Sequence, residues 1–202
     1  MSFTYKTIKA PSNGIYKEKG SKFISFAFPI TTIEQAKELI EKHKKEYFDA
    51  RHICYAYMFG NERETFRAYD DGEPSGTAGK PILGQLNSHQ LTDTLLIVVR
   101  YFGGVLLGTG GLTTAYKEAA NDAISNAELI EKTVKANITI RFHYLMLNDI
   151  MNISKQLNAK ILEQKFDTEC RIKIEIDKAN EEIAKAKLDK LSIFAPIHIH
   201  FH

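Results

Sequence analysis

LLIVVRYFGGVLLGTGG, residues 95–111, changes character in mid-run, and its reading decides how the chain folds. Residues 95–99 (LLIVV) are a continuous apolar run, the pattern of a central strand covered on both faces. Residues 101–111 (YFGGVLLGTGG) follow as a glycine-rich connection. Beyond it Leu112, Ala115, Ala119, Ala120, Ala123, Ile124 and Ala127 recur at the spacing of a helical apolar stripe. The middle of the chain therefore reads strand, glycine loop, helix.

Upstream, residues 5–29 alternate apolar residues with the turn pairs Asn13-Gly14 and Lys19-Gly20, as strands leading into a helix would. Thr31 stands three residues before Glu34, the spacing of a capping box. Ile33, Ala36, Leu39, Ile40 and His43 continue that helix to about Tyr47. Residues 52–59 (HICYAYMF) are aromatic and β-prone and read as a strand. Arg67 leads into the turn-rich residues 70–79 (DDGEPSGTAG). Pro81 then suits the first turn of a short helix carrying Ile82, Leu83 and Leu86.

Downstream of Thr133 the pattern changes. Residues 134–142 alternate as a strand, and Ile150, Ile153 and Leu157 mark a helix over 148–157. Residues 161–166 and 170–176 pair as a hairpin turning near Asp167-Thr168. A helix over 181–191 carries Ile183, Lys187, Leu188 and Leu191 along one side, and residues 197–201 close as a strand. The order β-α-β-β-α-β over these residues fits a ferredoxin-like domain. The fold class is α+β, with domains expected at 1–133 and 134–202.

Composition narrows the function classes. Of 202 residues, 44% are apolar and 26% charged, ordinary for a folded protein. No stretch offers the roughly 20 apolar residues of a membrane span, and residues 1–9 lack the plan of a signal peptide. Cys54 and Cys170 are the two cysteines, too far apart for a CxxC pair, which suits a reducing, cytoplasmic setting. The net charge is +2, zero over 1–133 and +2 beyond, so any nucleic-acid surface has to be a local patch.

Three constellations carry chemistry. The glycines Gly103, Gly104, Gly108, Gly110 and Gly111 precede a helix whose free N–H groups and partial positive charge suit an anion, and Arg100 adds a fixed cation. The loop is neither a Walker A motif, since Thr109 follows Gly108, nor GxGxxG, since position 113 is threonine. The plainer reading is a tight strand-to-helix turn. Asp70, Asp71 and Glu73, with Ser75 close by, could hold Mg²⁺ or serve as an acid–base pair. The same residues equally form turns and cap a helix, and if Asp71 is the cap its loss should cost about 1 kcal/mol. His52 and Cys54 share one strand face but stand parallel, so a buried thiol beside a half-exposed imidazole is the expectation. His198, His200 and His202 also share a face, enough for adventitious nickel or zinc. No motif calls for a cofactor or a resident metal.

Residues 70–83 (DDGEPSGTAGKPIL) and 99–116 (VRYFGGVLLGTGGLTTAY), with 49–57 (DARHICYAY) and Lys22-Phe23 before them, resemble the signature of the IMPACT/YigZ family. The C-terminal third is similar to the small second domain of its bacterial members. The resemblance implies an N-terminal fold like the second domain of a small-subunit ribosomal protein. It also implies a C-terminal ferredoxin-like domain similar to one of translational elongation factor G. Eukaryotic relatives regulate translation under amino-acid stress by competing for an activator of an initiation-factor kinase, using an additional N-terminal domain that is not in this sequence. For bacterial members it implies no particular biochemical activity, and binding to RNA or the ribosome is the inference from fold likeness. Asp70, Asp71, Glu73, Ser75, Arg100, Gly103, Gly104, Gly108, Gly110 and Gly111 match the family pattern and are the expected binding residues. Thr114 departs from it, standing where the family commonly has arginine.

The expectation is a translation-associated binding protein rather than an enzyme with a readable active site, its partner RNA, the ribosome or a protein. Phe142, Phe166 and Phe201 are the aromatics that a base-stacking sheet face would use. The rival is a Mg²⁺-dependent enzyme on a phosphorylated small molecule, which requires the acidic and glycine motifs to meet in one cleft and Asp71 to be essential. The third reading is a protein–protein adaptor.

Overall fold

The computed structural model describes residues 3–167, 170–193 and 196–201, and shows a mixed α+β chain that divides into two units. One spans Tyr5–Lys132; the other joins Met1–Thr4 to Thr133–His202. In chain order the first part runs β1 (Thr4–Ile8), β2 (Ser12–Glu18), β3 (Ser21–Pro29), α1 (Ile33–Glu46), β4 (His52–Phe59), β5 (Thr65–Tyr69), α2 (Gly79–Ser88), β6 (Thr94–Tyr101), α3 (Gly108–Ser125) and β7 (Leu129–Thr133). There follow β8 (Lys135–Phe142), α4 (Leu147–Gln156), β9 (Lys160–Phe166), β10 (Cys170–Asp177), α5 (Glu181–Ser192) and β11 (Ile197–Phe201).

The apolar run 95–99 lies in β6, the middle strand of an antiparallel sheet ordered β2-β3-β6-β4-β5. Alternate side chains of a strand point to opposite faces. Leu96 and Val98 join Phe23, Cys54, Ala56 and Met58 against α2 and α3. Leu95, Ile97 and Val99 join Ile53, Tyr55 and Tyr57 against Ala36 and Ile40 of α1. Each of these β6 residues is fully buried, which favours the fold by about 1.5–3 kcal/mol per large aliphatic side chain. Helices on both faces are the physical reason for an unbroken apolar run. The stripe on α3 is mostly alanine (Ala115, Ala119, Ala120, Ala123), all fully buried.

Three local features differ from the sequence expectation. The cap of α1 is Thr32, not Thr31: its Oγ1 accepts from Gln35 N–H at 3.1 Å, while Gln35 Oε1 accepts from Thr31 N–H at 2.8 Å. The box is thus shifted by one residue, with glutamine in the acidic partner's role. Strand β5 is exposed along its whole length at the sheet edge, so it has no buried alternation to betray it. Short β7 pairs with β1 in a separate two-stranded sheet and is likewise mostly exposed.

In the second unit the strands are ordered β11-β8-β10-β9, all neighbours antiparallel. Ile138, Ile140, Phe142, Ile172 and Ile174 share a core with Ile150 of α4 and Leu188 of α5. Ile183, expected on the packed side of α5, is half exposed, and Ala184 is buried in its place. The hairpin turn at Asp167-Thr168 lies partly outside the described residues, as does His202. Among the described residues no helix is long and apolar enough to cross a membrane.

Candidate functional site

The loop between β5 and α2 sorts its three carboxylates into three different tasks. Asp70 faces the start of α2: Oδ1 accepts from the N–H groups of Ala78 (3.0 Å) and Gly79 (2.8 Å), Oδ2 from that of Gly76 (2.9 Å). Desolvation would push its carboxyl up, but the hydrogen bonds from Gly76, Gly79 and Ala78 outweigh it and hold the pKa below the ordinary value. Asp71, in the left-handed region at φ 47°, anchors strand β4 instead. Its Oδ2 accepts from Ile53 N–H at 2.7 Å, and its carbonyl oxygen stands 2.7 Å from His52 Nδ1. Asp71 therefore does not cap α2: the N-cap position is Ala78, and it is Asp70, upstream in the loop, that accepts from the N–H groups at the helix start.

Glu73 alone turns inward. Its Oε1 accepts from Arg100 Nη1 at 2.5 Å and from the Tyr116 hydroxyl at 2.8 Å, with His52 Nε2 at 3.8 Å. Glu73 and Arg100 are buried, at 7% and 5% exposure, an ion pair that joins the acidic loop to the end of β6. The Arg100 guanidinium lies 5.5 Å from the Phe23 ring centre and 5.7 Å from that of Phe102, within cation–π range. Its Nε is buried with no partner. Because a carbonyl can only accept, His52 Nδ1 carries a proton, while Nε2 faces Glu73 Oε1.

Cys54 is fully buried, its Sγ 3.0 Å from the Asp70 carbonyl and 3.4 Å from the Tyr116 hydroxyl. Desolvation raises its pKa far above the usual thiol value, so the thiol stays protonated and is no nucleophile. The Tyr116 phenol is raised by burial as well. Tyr116 was legible as part of the glycine motif but not as a site residue. Nothing in the helical spacing says that the hydroxyl of a core tyrosine meets a glutamate.

The glycines divide in the same manner. Gly103 packs against the β2–β3 turn, where an added Cβ would fall 1.9 Å from Gly20 C, and its N–H donates to Ser21 Oγ. That is a packing role. Gly108 opens α3 at φ +70°, a conformation costly for other residues. Gly104 also has positive φ, and neither it nor Gly108 or Gly110 has a neighbour that a Cβ would touch. Gly111 meets Leu107 Cβ at 3.1 Å. The N-terminus of α3 has no side-chain cap and no acid in its first turn, so its first N–H groups are without intrahelical partners.

Beside this helix end lies a cavity of about 460 Å³. Phe102, Leu106, Leu107, Leu112 and Pro74 form its apolar walls, with Gly108 and Thr109 at the helix end. Arg51, His52, Glu73 and Arg100 supply its polar groups, two arginines against one carboxylate. The acidic loop thus meets the glycine loop through Glu73, while Asp70 and Asp71 are committed to backbone donors. Ser75 is exposed away from these contacts and is not among the lining residues. Among the described residues no group of three His, Cys, Asp or Glu is placed to hold a metal. Thr114 is exposed on α3 and lines a separate depression with Tyr16, Glu18 and Lys19. An arginine there would serve that surface. Of the three candidate aromatics in the second unit, Phe142 is core, Phe201 packs partly against it, and Phe166 is exposed on β9.

Comparison with known proteins follows the same residues. The Impact N-terminal domain model matches residues 19–124. The chain is 34% identical over 185 residues to IMPACT family member YigZ of Escherichia coli, covering 91% of each. It is 39% identical over 153 residues to IMPACT family member YvyE of Bacillus subtilis, 75% of this chain and 70% of that one. Similarity to Protein IMPACT of Rattus norvegicus is 30% over 96 residues, 45% of this chain and 30% of the rat protein. A crystal structure of an hypothetical protein superposes with a TM-score of 0.77 at 31% identity, covering 98% of this chain and 97% of that one.

Proposed function

This chain belongs to the IMPACT family, and from that membership we propose that it is a cytoplasmic, translation-associated binding protein contacting RNA or the ribosome through the glycine-rich start of α3. The observation that carries the reading is the uncapped N-terminus of α3 beside a cavity holding two arginines and one carboxylate. Free N–H groups at a helix start, with the helix dipole behind them, favour a phosphate oxygen. Arg51 is exposed and free to meet a phosphate, whereas Arg100 is already engaged by Glu73. Arg100 therefore shapes the floor, and Arg51 is the cation that reaches out.

The same proposal takes residues 1–133 as the IMPACT-type domain, with the fold of a small-subunit ribosomal protein's second domain. It takes 134–202 as a ferredoxin-like domain similar to one of elongation factor G. Support for the latter is the β-α-β-β-α-β element order with sheet order β11-β8-β10-β9. A regulatory part under stress rests on the family resemblance alone.

The test is co-sedimentation with ribosomes and with RNA across a salt series, comparing wild type with Arg51→Ala. Arg51 is the better probe because removing Arg100 would strand a buried carboxylate. Salt-sensitive binding that weakens in folded Arg51→Ala supports the reading; no binding at low salt sinks it. One observation favours a protein partner instead: Phe102, Val105 and Leu106 are exposed together, Leu106 at 84%. Binding indifferent to salt and lost in Leu106→Ser would move the adaptor reading ahead.

A further inference from the structure

We propose that β9 is a self-association edge, through which two copies of this chain pair antiparallel about a twofold axis at Gln164 and join their four-stranded sheets. β9 (Lys160–Phe166) is the outer strand of the order β11-β8-β10-β9 and is exposed along its whole length. Such an edge presents backbone N–H and C=O groups that a further strand can satisfy. Ile161, Leu162 and Phe166 are exposed on it. With Gln164 on the axis, Glu163 of each copy faces Lys165 of the other, and Leu162 of each faces Phe166 of the other. Across residues 162–166 every pair is then opposite in charge, apolar on apolar, or amide on amide, which are pairings that stabilise a ladder. The exposed edge strand of the first unit, β5, has no such match about its middle residue. Centred on Arg67, it sets arginine against arginine and Glu64 against Asp70.

The sheet behind β9 calls for an acid at this edge. Lys165 lies opposite Arg171, and Arg171 opposite Arg141, three cations in line across β9, β10 and β8. Like charges directly opposite one another are destabilising. Asp167 stands 3.1 Å from Lys165, but both side chains are largely exposed and such a pair contributes little. Glu163 of a second copy extends the row with the missing negative charge. Glu163 itself lies opposite Lys173, so in the pair it sits between two cations. Gln164 and Phe166 lie opposite the core residues Ile172 and Cys170, which puts the amide and the ring on the helix-bearing side of the sheet. A lysine on an edge strand ordinarily deters pairing; a glutamate two residues before it makes this edge complementary to itself. The bulge at Leu162, where the register passes from Lys173↔Glu163 to Ile174↔Ile161, ends the regular stretch. The contact is therefore short, and the dimer is weak and reversible.

Analytical ultracentrifugation of the full chain from about 1 μM to about 1 mM, the range of small interfaces, tests this. A reversible monomer–dimer equilibrium is expected, and a monomer throughout overturns the proposal. Lys165→Glu and Glu163→Lys should each weaken association by at least about tenfold, because each sets like charges opposite one another. Mixed in equal amounts, the two variants should associate again as a heterodimer, since all the glutamates then lie on one strand and all the lysines on the other. The double variant carrying both changes should dimerise as the wild type does. Association unchanged in the single variants, or not restored by mixing, overturns the pairing. Thermal melts of the same samples check folding, and these exposed positions should leave the melting temperature near that of the wild type. Gln164→Glu, nearly isosteric, gives a further check: two carboxylates meet on the axis, so the dimer should weaken at neutral pH, and indifference to this change overturns the register. The inference goes beyond the reading of α3 and does not rest on it. Ribosome binding lost in Arg51→Ala reports on α3, dimerisation lost in Lys165→Glu reports on β9, and either can fail alone.

Discussion

Glu73 and Arg100 lie 27 residues apart in sequence and 2.5 Å apart in the structure, both buried. Breaking such a pair from one side leaves an uncompensated charge, so Arg100→Met should cost about 3–5 kcal/mol in urea denaturation. Adding Glu73→Gln to Arg100→Met should recover much of that loss, because the stranded charge is then gone. A simple loss of Arg100 packing would give no recovery. Cys54 gives a second residue-scale prediction. Burial raises its pKa well above the thiol norm, so it should resist iodoacetamide at neutral pH in the native protein. Modification should appear only as the protein unfolds.

Among the elements, two glycines of one motif, Gly103 in the loop and Gly110 in α3, make opposite demands on substitution. Gly103→Ala forces a Cβ into the backbone of Gly20, and should destabilise by about 1–3 kcal/mol, as overpacking does. Gly110 lies inside α3 with open space at its Cβ and no positive φ. Gly110→Ala should therefore stabilise by about 0.5–1 kcal/mol through helix propensity. Thermal melts of the two variants should shift in opposite directions. For α2, Asp70 accepts three backbone N–H bonds and its folded-state pKa is lowered. A lowered carboxylate pKa stabilises the fold above the unfolded value of about 3.9, and that contribution is lost as pH falls through the folded value. Asp70→Ala should cost about 0.5–2 kcal/mol at neutral pH and make the acid side of the stability profile shallower.

For the whole molecule, charge balance limits how any polyanion can be held. A net charge of +2 over 202 residues supplies no broad field, so RNA binding through the α3 end and Arg51 involves few phosphates. With a slope of about −0.7 per phosphate for single strands, log affinity against log salt should fall no more steeply than about −3. Filter binding across the salt series reads that slope directly. The succession of elements was legible from the residue pattern alone. The run at 95–99, the alanine stripe on α3 and the isoleucine alternations of β8 and β10 are visible because periods of two and 3.6 are local properties of the chain. Strand β5 stayed hidden because an exposed edge strand has no apolar period to read. The site was only half legible: the acidic and glycine motifs stood out, but their division of labour did not. Asp70 bonds locally to the start of α2, whereas Asp71 as strand anchor, Glu73 as the buried partner of Arg100 and Tyr116, and His52 at its side depend on β4 and β6 lying side by side in the sheet. That order brings β4, β6 and the start of α3 together around one cavity. Burial and charge pairing arise between residues distant in sequence, so they exist only once the chain has folded and no local pattern carries them.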